Sequence, residues 1–243
     1  MSEMEINSYV LQRFESGGAG RLRRCGIRNH LRRQRLRWNW ELRRDPWIKR
    51  LFDIAFSLGI LVLLLPLFLL IAFLIKLEDR GPIFFSQIRV GKYGRHFRML
   101  KFRSMCVDAE KKFKELMAQN QHREGVTFKL KHDPRITQVG RWLRKLSLDE
   151  LPQFYNVLRG DMSFVGPRPP VPREVALYSP MDRRRLAIMP GITCLWQISG
   201  RSEIDFSGQV ALDVRYIESQ SFWGDLKIAA KTIPAVISGR GAC

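Results

Sequence analysis

Asp149 and Glu150 stand side by side in the segment Lys145 to Pro169, and basic residues gather around them. Arg141, Arg144 and Lys145 precede the pair. Arg159 and Arg168 follow it, the latter between Pro167 and Pro169, and Lys101 and Arg103 come from the earlier segment Lys101-Phe102-Arg103-Ser104-Met105. Two carboxylates among ammonium and guanidinium groups suit a diphosphate bound with Mg2+, the carboxylate holding the metal and the cations the phosphate oxygens. A purely structural role fits the same residues. Ser147 to Glu150 has the spacing of a capping box with Ser147 as the cap, although Pro152 then falls fifth in the helix, where its ring and missing N–H both cost stability. With Asp149 as the cap, Pro152 falls third and is tolerable. Either way the carboxylates lie at the positive end of a helix dipole, which favours their ionised form and attracts phosphate.

The elements that must hold these residues follow from pattern. Ile83 to Val90 and His96 to Met105 read as two strands around the turn Gly91-Lys92-Tyr93-Gly94, a β-hairpin that carries Lys101 and Arg103. A polar helix is predicted over Val107 to Gln121, a short extended piece over Val126 to Leu130, and a turn at His132 to Pro134. Helices over Arg135 to Leu146 and Leu148 to Leu158 bring Arg144, Asp149 and Glu150. The run Gly166 to Pro172 holds four prolines and cannot be regular structure. Pro190-Gly191 breaks the chain again, and Phe206 to Ser219 and Phe222 to Ile237 read as amphipathic helices.

Upstream lies the most apolar stretch, Ile54 to Ile75, free of ionisable side chains. As a helix it would run about 33 Å, the thickness of a bilayer core. Pro66 interrupts it. Both flanks are basic, with Arg43, Arg44, Lys49 and Arg50 before it and Lys76, Arg80, Arg89 and Lys92 after it. A span kinked at proline is one solution. A re-entrant helix that breaks at Pro66 keeps all of these cations on one face, and the upstream arginines favour that form.

The chain of 243 residues has a formal net charge of +19, so acidic partners are expected. Twelve Lys or Arg lie between Arg21 and Arg50 against only Glu41 and Asp45, interleaved with Trp38, Trp40 and Trp47. Beside an apolar helix that mixture suits anionic headgroups more than nucleic acid. Cys25, Cys106, Cys194 and Cys243 have no paired spacing, and the four histidines lack ligand spacing, which argues against a disulfide framework or a zinc site. The expected organisation is a basic leader over 1–46, a membrane helix over 47–77 and a catalytic domain over 78–243. The fold class is α+β, mostly helical with a small hairpin.

Three motifs in order after a membrane helix, Lys101 to Met105, Ser147 to Gln153 and Gly160 to Pro169, resemble the bacterial sugar transferase family, the monotopic polyprenyl-phosphate phosphoglycosyl transferases. The resemblance covers about Arg50 to Gly239 and looks like a short form. It implies transfer of a sugar 1-phosphate from a nucleotide diphosphate sugar, with uracil the expected base, to polyprenyl phosphate. By resemblance Asp149 is the nucleophile, forming an aspartyl-phosphosugar and releasing UMP, and Glu150 is the Mg2+ ligand. Lys101, Arg103, Arg144 and Arg168 are assigned to substrate, with Lys101, Arg144 and Arg168 matching phosphate positions. The family's helix break matches Pro66, and its setting is the cytoplasmic face of the bacterial inner membrane. Leu65 stands where a serine is frequent, and Cys194 where glycine is. The expected partners are thus the nucleotide sugar, the polyprenyl phosphate and anionic lipid, without nucleic acid; a homo-oligomer is left open. Competing readings are a membrane-anchored nucleic-acid-binding protein, which lacks any recognisable reading motif, and a hydrolase using the same carboxylates.

Overall fold

The computed structural model describes residues 47–109, 133–200 and 204–238. The basic leader, nearly all of the helix expected over Val107 to Gln121 and the piece over Val126 to Leu130 lie outside them. Two helices open the described chain, α1 (Trp47–Leu63) and α2 (Leu65–Asp79), with a bend of 60° between them. The break falls at Leu64, so Pro66 occupies the first turn of α2, where its missing N–H leaves no intrahelical bond unmade. No single described helix is long and apolar enough to cross a membrane, but this bent pair passes by length and composition.

Each helix has two faces. Leu51, Leu58, Val62 and Leu63 of α1 and Leu65, Leu69, Phe73 and Leu77 of α2 are exposed. Phe52, Phe56 and Ile60 of α1 instead pack on Phe154, Phe164 and Ile228, while Ile71 and Ile75 of α2 are buried against Phe102 and Leu143. Polar groups on the inner face of α1 fasten it to the domain. Arg50 donates to the carbonyls of Val157 (2.6 Å) and Leu158 (2.9 Å), and Asp53 accepts from the Phe164 N–H at 3.0 Å. Lys49 donates to the Val165 carbonyl (3.0 Å) and pairs with buried Asp225, which also accepts from the Tyr216 hydroxyl at 2.7 Å.

The hairpin forms, its second strand ending three residues before the expected Met105 and so leaving Arg103 just beyond it. Strands β1 (Phe84–Val90) and β2 (His96–Phe102) pair antiparallel, Phe84 opposite Phe102 and Val90 opposite His96. Its turn passes through Tyr93 at φ 56° and Gly94 at φ 80°. Helix α3 (Gln138–Lys145) begins three residues later than the pattern suggests, because Thr137 caps it by accepting from the Gly140 N–H at 2.9 Å. A Cβ on Gly140 would lie 2.0 Å from the Ser104 carbonyl oxygen, so only glycine lets α3 approach the end of the hairpin this closely.

The helix expected over Leu148 to Leu158 is divided. A 3-10 turn covers Leu148–Glu150, and the α-helix proper, α4, is Gln153–Arg159, starting after Pro152. Two three-residue strands then meet in parallel, β3 (Ser163–Val165) and β4 (Gly191–Thr193), a pairing too short to leave a periodic signal. Between them lies α5 (Pro172–Ala176), and after β4 come α6 (Leu195–Ser199), α7 (Phe206–Glu218) and α8 (Phe222–Ser238). The last two match the predicted amphipathic helices to within a residue. The architecture is α+β and mostly helical, as expected.

Lys49 is the cation of the buried cluster that joins α1 to α8. Lys49→Met leaves Asp225 and Tyr216 buried without it, and should lower unfolding stability in detergent by about 3 kcal/mol. Thermal unfolding with Lys49→Met and Trp47→Met compared side by side should show the loss only in the first.

Candidate active site

Ser147 adopts the left-handed conformation, φ 54° and ψ 22°, and its side chain caps nothing. Neither capping arrangement expected from the spacing is therefore formed, since Pro152 stands at the start of α4 instead. The turn at Ser147 is unusual for a residue with a Cβ and is the kind of local cost found at functional sites. It ends α3 and delivers Asp149 and Glu150 on a tight 3-10 turn against β2.

There Lys101 reaches both carboxylates. Its Nζ lies 2.6 Å from Glu150 Oε1 and 3.8 Å from Asp149 Oδ2, and Arg168 Nη1 is 3.4 Å from the same Glu150 oxygen. Asp149 is only 7% exposed. The two acids consequently diverge. Burial opposes ionisation of Glu150, but Lys101 and Arg168 outweigh it and hold its pKa down to about 2. For Asp149 burial dominates, Lys101 opposes it, and the Glu150 charge adds to it, so its pKa is raised. This corrects the expectation of a low pKa from a helix dipole, because no helix begins at Asp149 and desolvation prevails.

Arg144 lies on the other side, its Nε donating to Ser104 Oγ at 2.9 Å, and burial lowers its pKa against the opposing pull of Asp149. Arg103 does not join the cluster. Its guanidinium forks onto the Asp79 carboxylate and donates from Nε to the Pro82 carbonyl at 2.5 Å. It therefore ties the end of α2 to the hairpin instead of facing the site. Asn156, which the sequence did not single out, sets the geometry between the elements: its amide donates to the Arg98 carbonyl (2.8 Å) and accepts from the Leu100 N–H (2.9 Å). Fully buried, it clamps α4 to the strand that presents Lys101.

The dyad opens into a cavity of about 960 Å3. Six cations line it, Arg89, Lys101, Arg144, Arg168, Arg173 and Arg185, against Asp149, Glu150 and Glu174. Its walls also include Phe52, Phe56 and Ile60 of α1, Leu64 at the break, and Ile233 and Val236 of α8, so charged and apolar surfaces share one space. Among the described residues no three His, Cys, Asp or Glu side chains converge as a metal site. Mg2+ characteristically uses one or two carboxylates and completes its shell with waters and substrate phosphates. The adjacent pair Asp149 and Glu150 fits an ion delivered with a diphosphate, not one caged by protein alone.

The sequence profile of bacterial sugar transferases matches residues 44–239. The chain belongs to the bacterial sugar transferase family. The chain is 56% identical over 166 residues to the galactosyl transferase CpsE of Streptococcus agalactiae, covering 68% of this chain and 37% of that protein. It is 45% identical over 197 residues to the exopolysaccharide production protein ExoY of Sinorhizobium fredii, covering 80% and 87%. With the undecaprenyl-phosphate galactose phosphotransferase of Salmonella typhimurium the identity is 42% over 211 residues, 86% of this chain and 44% of that one. The chain thus spans less than half of the first and third relatives and most of the second. None of these similarities supports a nucleic-acid-binding role.

The raised pKa of Asp149 has a kinetic consequence. If the ionised carboxylate is the active form, activity should rise with pH along a limb centred above the usual carboxyl range. Lys101 is the strongest opposing charge, so Lys101→Met should move that limb to still higher pH. A profile of kcat/KM against pH for both proteins checks this, and a limb that stays in place removes Lys101 from control of Asp149.

Proposed function

We propose that this sugar transferase moves a sugar 1-phosphate from a UDP-sugar to undecaprenyl phosphate, releasing UMP, as the initiating step of exopolysaccharide or related glycoconjugate synthesis. The observation that carries the reading is the divergent acid pair: buried Asp149 and cation-bound Glu150 share Lys101 in a cavity with both phosphate-ready and apolar walls. The names of the relatives support the acceptor and the pathway class.

The chemistry divides into two displacements. The Asp149 carboxylate attacks the sugar-bearing phosphorus, an acyl phosphate forms, and the bond to the bridging oxygen breaks with its electron pair leaving on UMP. A phosphate oxygen of the lipid then attacks the same phosphorus and the carboxylate is returned. Splitting the transfer this way replaces one encounter of two anions by two steps on a group already in place. Lys101, Arg144 and Arg168 offset the negative charge around the attack. Mg2+ fits beside Glu150 and, when bound, would supply further charge on the diphosphate oxygens. Apolar walls from α1 and α8 suit a prenyl chain and would keep water from the acyl phosphate, which favours transfer over hydrolysis.

The same reading places α1 and α2 in the cytoplasmic leaflet of the bacterial inner membrane as a re-entrant element. Support comes from the 60° bend, the exposed aliphatic faces and the attachment of the start of α1 and the end of α2 to one domain. Single cysteines replacing Trp47 and Arg80, in a background without the native four, should both resist a membrane-impermeant maleimide added to intact cells. Labelling of one alone would make α1 and α2 a span.

The covalent step has a direct test. Enzyme mixed with UDP-sugar labelled in the sugar, without lipid, should retain label after denaturation, lose it to hydroxylamine and yield a labelled peptide containing Asp149. Asp149→Asn should stay folded, hold no label and lose activity by a factor of a thousand or more. Normal turnover by a wild-type protein that never holds label would leave Asp149 without a nucleophilic role.

A further inference from the structure

Six cations line the cavity, and their partners distinguish them. Lys101 and Arg168 reach Glu150, and Arg185 pairs with Asp213. Arg89 has no such partner: among the described residues no carboxylate lies within 4.0 Å of its guanidinium. What holds it is neutral. Nη1 donates to the Pro169 carbonyl at 2.9 Å, and Nη2 donates to Gln87 Oε1 at 2.6 Å. The strand end is fixed by the same proline-rich loop, through the Val90 N–H on the Pro170 carbonyl at 2.9 Å.

A guanidinium carries five N–H donors. Each terminal nitrogen of Arg89 spends one on these neutral acceptors and keeps a second. The pairing orients the fork without neutralising it. Burial, with Arg168 adding to it, lowers the pKa of Arg89 to about 10, so it remains charged at neutral pH. Glu174 and Glu150 oppose that shift without pairing with Arg89. Holding a cation out of water beside another cation, with no anion in ion-pair contact, is unfavourable unless a ligand brings one.

We propose that Arg89, oriented by Gln87 and Pro169 and adjoining Arg168, is a binding residue for a substrate phosphate other than the one that Lys101 and Asp149 face. This rests on the transferase reading above and assigns a second phosphate seat within that site. Two phosphates in the reaction have the chemistry: the one that leaves on UMP, and the headgroup of the polyprenyl phosphate. Arg is suited to either, because its planar fork matches two phosphate oxygens at once. Gln87 is a positioning residue, acting only through Nη2.

Equilibrium titration of the full-length protein in detergent micelles tests the assignment without requiring turnover. UMP, uridine and a polyprenyl phosphate are titrated separately into wild type, Arg89→Gln and Gln87→Ala. In Arg89→Gln, a tenfold or greater weakening of UMP with uridine unchanged places the leaving phosphate on Arg89. The same weakening of the polyprenyl phosphate alone places the acceptor headgroup there. Gln87→Ala should weaken the same ligand less, since the charge stays while its aim is loosened. It also stands as the test should Arg89→Gln fail to fold. Folded variants that bind both phosphates within twofold of wild type overturn the proposal and leave the Asp149 chemistry intact. A wild-type protein that binds neither phosphate overturns both.

Discussion

The structure depends on α1 being fastened to the domain that follows it by ionic and hydrogen-bonding groups along one face. An apolar helix with an exposed aliphatic surface has no intrinsic orientation relative to a neighbouring domain. Arg50 and Asp53 supply one by meeting backbone groups that regular structure leaves open. Arg50 covers two carbonyls at the end of α4, and Asp53 accepts the Phe164 N–H at the start of the parallel strand pair. Lys49 adds the buried cluster with Asp225 and Tyr216. Because α4 directly follows the 3-10 turn of Asp149 and Glu150, the helix that presents the apolar surface is held against the acid pair.

A similar division of labour runs along the segment that holds Lys101, Arg103 and Ser104. Lys101 serves the acids, Arg103 closes the end of α2 onto the hairpin, and Ser104 supports Arg144. One short motif thus connects α2, the acid pair and α3. Arg103 is no less constrained than Lys101 for lying outside the cavity. Its fork matches the Asp79 carboxylate, and the pair lies where α2 must stop and turn.

Adjacent carboxylates would ordinarily titrate alike. Here the neighbouring cations sit unequally: Lys101 is over a full ångström closer to Glu150 than to Asp149, and Arg168 contacts Glu150 alone. Glu150 takes the charge, and Asp149 is left desolvated beside it. A poorly solvated carboxylate is a stronger nucleophile than a fully hydrated one, which bears on the role proposed for Asp149.

The amino-acid sequence determined the class of chemistry, the α+β class, the hairpin, the amphipathic pair at the end of the chain and the break near Pro66. These are local matters: alternation, helical period, a missing N–H, and charged residue types close together in the chain. Lys101, Arg144 and Arg168 converge on Asp149 and Glu150 as their types and neighbours suggested. Other features were settled only by the fold. The cap reading of Ser147 and Asp149 failed because tertiary packing imposed a left-handed turn that no spacing rule encodes. Arg103 looked equivalent to Lys101 until Asp79, 24 residues earlier, claimed it. Asn156 carried no signal of its own, a polar residue in an apolar helix, and Arg89 read only as one of the cations flanking the apolar stretch. Which charge meets which partner depends on long-range distances and burial, and those exist only once α1, the hairpin and α4 have packed together.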